Sequence, residues 1–275
     1  MLVRGLWGST HPGPTLVVTV LAVALGVAAG VDAGRLALLG VAVFAGQVSV
    51  GISNDAIDAA RDRAVGRADK PIATGEISER AAWTAAFIAL GLALALSVPL
   101  GAGMLAAHAV ALASAWAYNA GLKATPFSLV PFVVSFGLFP SFATLSAPGG
   151  TLAPVWVSIA GAALGAAVHL TNVLPDLEDD ARTGIRGLPH RLGARVSTVL
   201  AALGILVGAT AVLVGPVIAG AAPVIPVVAW AFFAAVAVVA VAAVVLALTR
   251  SPHRVLFRLT MLAALLLAVQ LVVTG

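Results

Sequence analysis

Apolar runs of roughly 17–25 residues recur along the whole chain, the length a helix needs to cross a hydrocarbon core. Charged residues make up only 9% of the sequence and hydrophobic ones 61%, against about 25% charged in an ordinary soluble domain. So few charges cannot cover the surface of a soluble protein of 275 residues. A β-barrel would show alternating segments of about ten residues, and the sequence has none. The pattern predicts an all-α polytopic membrane protein with nine transmembrane helices. Its spans are expected near 14–30, 36–56, 82–99, 102–119, 128–146, 154–174, 196–215, 225–248 and 255–273. Arg4 followed by Leu16 to Ala29 has the outline of a signal peptide, but eight further spans favour a retained first helix. No linker marks a second unit, so 1–275 reads as one domain.

Nine spans place the two termini on opposite sides of the membrane. With the N-terminus cytoplasmic, the inside segments hold Arg4, Arg61, Arg63, Arg67, Lys70, Arg80, Lys123, Arg182, Arg186, Arg191, Arg195, Arg250, Arg254 and Arg258. That is fourteen of the fifteen basic residues, leaving Arg35 outside, and the positive-inside rule selects this orientation. Arg250, Arg254 and Arg258 read as anchors at the membrane edge. The net charge of +4 comes from residues beside spans, so nucleic-acid binding is not expected. Nor does anything point to an obligate protein partner. Cysteine is absent, which excludes disulfides and thiolate chemistry. The five histidines (His11, His108, His169, His190, His253) have no His-x-x-x-His pair to ligate zinc.

Ten of the eleven acidic residues fall in the segments 55–79 and 176–180, and only Asp32 lies elsewhere. Within them one pattern occurs twice, 118 residues apart: Asn54, Asp58, Asp62, Gly66 and Asn172, Asp176, Asp180, Gly184. On a helix, a spacing of four stacks side chains along one face. Asp55 sits beside the first row, and Glu178 and Asp179 flank the second. Carboxylates at a helix C-terminus oppose the macrodipole and repel one another, a cost that bound Mg²⁺ relieves. Gly66 and Gly184 are suited to ending the helices. Two such rows at one membrane surface suit divalent cations with a diphosphate between them, since Mg²⁺ takes one or two carboxylates plus substrate phosphate. Lys123, Arg61, Arg63, Arg67, Lys70, Arg182 and Arg186 are the cations available for phosphate oxygens.

These residues resemble the UbiA superfamily of intramembrane prenyltransferases. Asn54-Asp55-Ala-Ile-Asp58-Ala-Ala-Arg-Asp62 resembles its first signature. Asp176-Leu-Glu-Asp-Asp180 with Gly184-Ile-Arg-Gly-Leu-Pro-His-Arg-Leu-Gly193 resembles its second. Lys70-Pro71-Ile72 resembles its Arg-Pro-Ile stretch, and Tyr118 to Lys123 its tyrosine-to-lysine stretch. Two departures stand out. Lys70 replaces the usual Arg, and Asn119 follows Tyr118 where quinone-pathway members often carry Pro. The resemblance implies a nine-helix bundle around a lipid-open cavity with a cytoplasmic cap. It implies Mg²⁺-dependent transfer of a prenyl group from a prenyl diphosphate to a hydrophobic acceptor, aromatic or lipid. Asp55, Asp58 and Asp62 with Asn54 would hold one metal, and Asp176 and Asp180 the other. Asp58, Asp62, Asp176 and Asp180 are the expected catalytic residues. Asn54, Arg61, Arg67, Lys70, Tyr118, Lys123, Asn172 and Arg182 are the expected substrate-binding residues.

An allylic cation would need aromatic faces, and Trp116, Tyr118, Phe132, Phe136 and Phe139 are candidates. His169 shares a helical face with Asn172 and Asp176 and is expected to line the cavity, as is Gln47. His108 is expected to satisfy a backbone carbonyl. A terpene cyclase would use the same diphosphate site without an external acceptor. A cation-dependent transporter would show inverted repeats and midplane charges, whereas these repeats share one direction and one membrane surface. The Asp-Gly-x-x-Ala-Arg signature of CDP-alcohol phosphotransferases is missing.

Overall fold

The computed structural model describes residues 2–249 and 254–274. Arg250, His253 and the side chains of Glu178 and Asp179 lie outside the described residues. Eleven α-helices follow one another, and the described residues contain no strand. They are α1 (Leu2–Ser9), α2 (Pro12–Ala28), α3 (Ala33–Ala64), α4 (Glu79–Ser97), α5 (Ala102–Ala120) and α6 (Val130–Ser146), then α7 (Val155–Asn172), α8 (Leu177–Arg182), α9 (Leu188–Ile218), α10 (Val227–Thr249) and α11 (Arg254–Thr274). Nine of these coincide with the nine expected spans. Six are long and apolar enough to cross a membrane by themselves, and a seventh span results if the bent pair α1–α2 counts as one.

Local chemistry sets the ends. Asp32, the isolated acid, caps α3 by accepting from the amides of Gly34 and Arg35. Ser78 caps α4 through the Ala81 amide. Arg35, the one basic residue expected outside, donates to the carbonyls of Ser146 and Leu100 at 2.5 and 2.9 Å. Its charge thereby meets the carbonyl ends of α6 and of the 3-10 turn that extends α4.

The central cavity is lined along its length by α2, α3, α5, α6, α7 and α11, with residues of α1, α8 and α9 at one end. Each of the six packs on the next, and α11 closes on α2, while α4 and α10 pack on the outside of this ring. Between lipid-solvated helices, small residues permit the close approach that dispersion needs. On α7, a Cβ at Gly161 would lie 2.2 Å from the Phe136 carbonyl oxygen, and one at Gly165 would lie 2.6 Å from that of Phe132. On α9, Gly204 approaches the Ala163 carbonyl in the same way. The α6–α7–α9 wall therefore has backbone against backbone, which leaves side-chain space for the cavity.

Two long helices decide where the polar groups stand. α3 has 32 residues, and at 1.5 Å each it is about 48 Å long, well over the hydrocarbon thickness of about 30 Å. Its last turns carry the first acidic row as one continuous helix. The second row differs. α7 stops at Asn172, a 3-10 turn spans Leu174–Asp176, and α8 begins at Leu177. The expectation that Asn172, Asp176 and Asp180 share one helical face is thus corrected. Pro175 has no amide to donate and its ring crowds the preceding turn, so the helix breaks there.

Gly161→Ala should therefore lower thermal stability in detergent by about 1–3 kcal/mol, because the carbonyl of α6 cannot yield. Gly91→Ala, at an exposed α4 position with nothing within 4 Å of the new Cβ, should be neutral or slightly stabilising. Equal effects from the two would contradict this packing account.

Candidate active site

The cavity encloses about 880 Å³. Its polar end is built by the C-terminal turns of α3, the loops after α3 and α5, and the segment from α7 through α8 to α9. Asn54, Asp58, Arg61, Asp62, Arg67, Lys70, Tyr118, Lys123, Asn172, Asp176 and Asp180 all line it. Residues from distant parts of the chain meet here because α3 and α7 end at the same level of the bundle.

Both acidic rows end in the same backbone device. Gly66 and Gly184 adopt φ of 70° and 87°. In each case the amide one residue later returns to the carbonyl of the last Asp: Arg67 to Asp62 and Ile185 to Asp180, both at 2.9 Å. Left-handed glycine closes the helix and satisfies its orphan carbonyl. After the first row the chain turns back, and Arg67 and Lys70 face Asp176 and Asp55.

The first row is nearly buried, with Asp58 only 7% exposed. Lys123 Nζ donates to both Asp58 oxygens at 2.6 and 2.7 Å, and reaches Asn54 Oδ1 at 3.2 Å. Arg61 donates to Asp58 Oδ2 at 2.9 Å and stands 3.7 Å from Asp62. Burial holds the Lys123 ammonium below the usual lysine range, and the adjacent Asp58 carboxylate opposes that fall. Arginines from the first row cross to the second: Arg61 lies 3.9 Å from Asp180 and Arg67 lies 3.7 Å from Asp176. Arg67 is oriented by a two-pronged bond to Asp69 at 2.8 and 2.9 Å. That bond lowers the Asp69 carboxyl to about 2 and raises the guanidinium further.

Three carboxylates stand out. Among the described residues, Asp62, Asp176 and Asp180 have cations at 3.7–3.9 Å, outside hydrogen-bonding distance. Burial pushes the Asp180 carboxyl up to about 6; Arg61 opposes that rise and Asp176 adds to it. Among the described residues no group of three acids or histidines forms a ready metal cage. The arrangement is one of facing carboxylates and arginines whose charges are incompletely matched across a gap.

Several expectations shift. Asp55 is off the cavity wall. One helical position on from Asn54, it points to the α1–α2 elbow, where Lys70 Nζ at 2.6 Å and His11 Nε2 at 2.9 Å hold its Oδ1. A carboxylate off the wall does not face an ion held in the cavity. Lys70 lines the cavity while committed to Asp55. Arg182 ends α8 off the cavity lining, and exposed Arg186 is likewise outside it. Arg63 turns to Glu79 at 2.6 Å. Trp116 packs on Trp83 and Phe87 and donates to Ser49. It lies two positions, about 200°, from Tyr118, on the opposite face of α5. Arg254 and Arg258, read from sequence only as anchors, line the cavity.

Sequence reasoning gave no role to His11, His190, Asp69 or Ser128. His11 carries a positive φ of 53° at the elbow, a signal visible only in the fold. Ser128 accepts from the Leu188 amide and bonds His169 Nε2 at 3.0 Å, tying the α5–α6 loop to α7 and α9. Gln47 and His169 line the cavity as expected. His108 also lines it and pairs with Ser97 Oγ at 2.9 Å, where a backbone carbonyl was expected. Asn119 donates to the Val50 carbonyl and to Ser53, so it stitches α5 to α3.

Below the polar end runs a ladder of rings. Tyr118 meets Phe132 edge-on at 5.1 Å, Phe132 stacks on Phe136 at 6.2 Å, and Phe139 and Phe142 continue at 6.1 and 5.5 Å. A charged head thus leads into an apolar, aromatic shaft.

Comparison with known proteins agrees with this geometry. No curated protein matches the sequence. Among solved structures, a UbiA homologue from Archaeoglobus fulgidus bound to GPP and Mg²⁺ is similar, with a TM-score of 0.74 and 17% identity over 98% of this chain and all of that one. The same homologue bound to DMAPP and Mg²⁺ gives a TM-score of 0.71 at 17% identity, over 98% of this chain and 100% of that one. A digeranylgeranylglyceryl phosphate synthase gives 0.71 at 15% identity, over 99% of this chain and 98% of that one. At such identities the likeness establishes the fold alone. The sequence itself matches the model of the UbiA prenyltransferase family over residues 15–272, and the chain belongs to that family.

Proposed function

We propose that this protein transfers a prenyl group from a prenyl diphosphate to a hydrophobic acceptor, aromatic or lipid, in a Mg²⁺-dependent reaction at the cytoplasmic face of the cell membrane. The observation that carries the reading is the set of incompletely paired carboxylates, Asp62, Asp176 and Asp180, facing arginines across the head of an apolar cavity. Homologues bound to GPP or DMAPP with Mg²⁺ support it. The one-sided distribution of basic residues supports nine crossings with a cytoplasmic N-terminus.

The donor set fits the metal. Mg²⁺ keeps water and phosphate among its ligands and needs only one or two carboxylates from the protein. Asp58 and Asp62 with Asn54 would hold it on α3, and Asp176 and Asp180 on the opposite segment. Asp55 is left out of this assignment because it lies off the cavity wall, towards His11 and Lys70 at the α1–α2 elbow. Bound there, the ion supplies positive charge to the departing diphosphate.

The chain's own groups do the rest. Lys123 and Arg61 are already gathered on Asp58, and Arg67 is aimed by Asp69, so cationic donors are in place before diphosphate arrives. Arginine meets phosphate oxygens with a planar fork and lysine as a point charge. As the allylic C–O bond breaks, its electrons leave with the diphosphate oxygen and the carbon becomes cationic. Tyr118 and Phe132 present rings just below the acidic rows, each worth about 0.5–2 kcal/mol to a nearby cation. The aromatic shaft excludes water, which would otherwise capture that carbon. An electron-rich acceptor then forms the new bond and releases its proton.

Three outcomes are expected of the full-length protein in lipid. Diphosphate release from prenyl diphosphates should require Mg²⁺ and stop with EDTA. Asp58→Ala and Asp176→Ala should each lower that release at least about a hundredfold; full activity in both would end the two-row reading. Without metal, burial has Asp180 take up a proton near pH 6, so the Mg²⁺ concentration needed for half-maximal release should rise as pH drops through about 6. Asp180→Asn should be low at every pH, so an undiminished rise in that variant would assign the titration elsewhere.

A further inference from the structure

Asp180 stands between two nitrogens that have no hydrogen-bond partner. Its Oδ2 lies 3.7 Å from His190 Nε2, and its Oδ1 lies 3.9 Å from Arg61 Nη1. Both nitrogens are sealed from solvent and unpaired among the described residues, and His190 Nδ1 is in the same condition. Buried polar atoms are nearly always hydrogen-bonded, so each exception asks what completes it. Water does not reach these atoms, and one carboxylate stands just beyond hydrogen-bonding distance of two of them.

The two sides of that gap are built differently. His190 belongs to the first turn of α9, and this turn is fastened to the loop after α5. The Leu188 amide donates to Ser128 Oγ at 2.9 Å, and a Cβ at Gly187 would lie 2.4 Å from the Lys123 carbonyl oxygen. Pro189 occupies an early helical position where no amide is needed. The His190 side chain is 6% exposed and lines the cavity. Asp180 belongs to α8, a helix of six residues that follows the break at Pro175, and its side chain is 21% exposed. A donor on an anchored turn thus faces a carboxylate on a short, separate one.

We propose that His190 is a positioning residue for Asp180. In the loaded site its Nε2–H donates to Oδ2 while Arg61 meets Oδ1, which requires each gap to close by about an ångström. A carboxylate oxygen has two lone pairs, so a donor on one leaves the other for Mg²⁺. His190 touches neither the ion nor the diphosphate; it fixes the direction in which Asp180 presents its charge, as the outer partners of metal-binding carboxylates do. This rests on the prenyl-diphosphate reading given above.

The test uses the full-length protein in lipid and two readouts. One is diphosphate release from geranyl and geranylgeranyl diphosphates as Mg²⁺ is varied. The other is the rise in Tm when Mg²⁺ is titrated in the presence of inorganic diphosphate. His190→Met keeps the bulk and loses the donor, and it should raise the half-maximal Mg²⁺ concentration about tenfold in both readouts. Most of the lost turnover should return at high Mg²⁺. His190→Gln places an amide N–H where Nε2 stood and should restore the wild-type Mg²⁺ dependence. His190→Asn is polar but reaches only the Nδ1 position, so it should behave like the methionine variant. It carries the test if the methionine variant does not fold. Equal shifts in His190→Gln and His190→Met would show a packing role and overturn the positioning. Wild-type Mg²⁺ dependence in every variant would overturn it too, and both results leave the donor reading standing. A wild-type protein whose Tm and diphosphate release ignore Mg²⁺ overturns the donor reading and the positioning together.

Discussion

Asp58 holds two cations at once in a setting where a lone charge could not persist. Lys123 reaches it from the turn after α5, and Arg61 reaches it from the same helix one turn on. Arg61 extends the connection towards Asp180 of the second row. Removing one member of a buried ion pair typically costs about 3–5 kcal/mol, because the partner is left uncompensated. The contact therefore fixes the relative height of α3, α5 and α8, and with it the spacing of the two acidic rows. The remaining site depends on that spacing, since the proposed diphosphate would be gripped from both sides.

The two rows share a sequence pattern and a closing glycine, but they are not structural copies. The first is presented by a continuous helix and is almost fully buried. The second follows the break at Pro175 and is more open, with the Asp176 side chain 40% exposed against 9% for Asp58. Asp58 is thus matched before any ligand enters, whereas Asp62 of the first row and both acids of the second face cations beyond hydrogen-bonding distance. In the proposed reaction a metal–diphosphate head would complete those charges.

Below the head, the fold turns chemical need into shape. Close α6–α7 and α7–α9 contacts, made through Gly161, Gly165 and Gly204, leave the ring's interior to aromatic side chains. Those rings serve two ends at different depths. Tyr118 and Phe132 lie at the polar end, where the proposed reaction would develop positive charge, and Phe136 and Phe139 lie deeper, among apolar residues.

The sequence by itself determined the all-helical membrane class, the stretches where nine of the helices lie, and most of the polar residues that line one end of the cavity. These were legible because each rests on local rules: hydropathy over a window of about twenty residues, carboxylates repeated every four residues, and glycine at a helix end. Tertiary structure alone decided which of the acids and cations face one another. Asp55 and Asp58 are three residues apart on one helix face map, yet one meets His11 and Lys70 and the other meets Lys123 and Arg61. Trp116 and Tyr118 are likewise neighbours in sequence and opposites in space. The reason is physical. A helix turns about 100° per residue, so what a side chain meets is set by the elements packed around it, and in a closed ring of helices those partners come from anywhere in the chain.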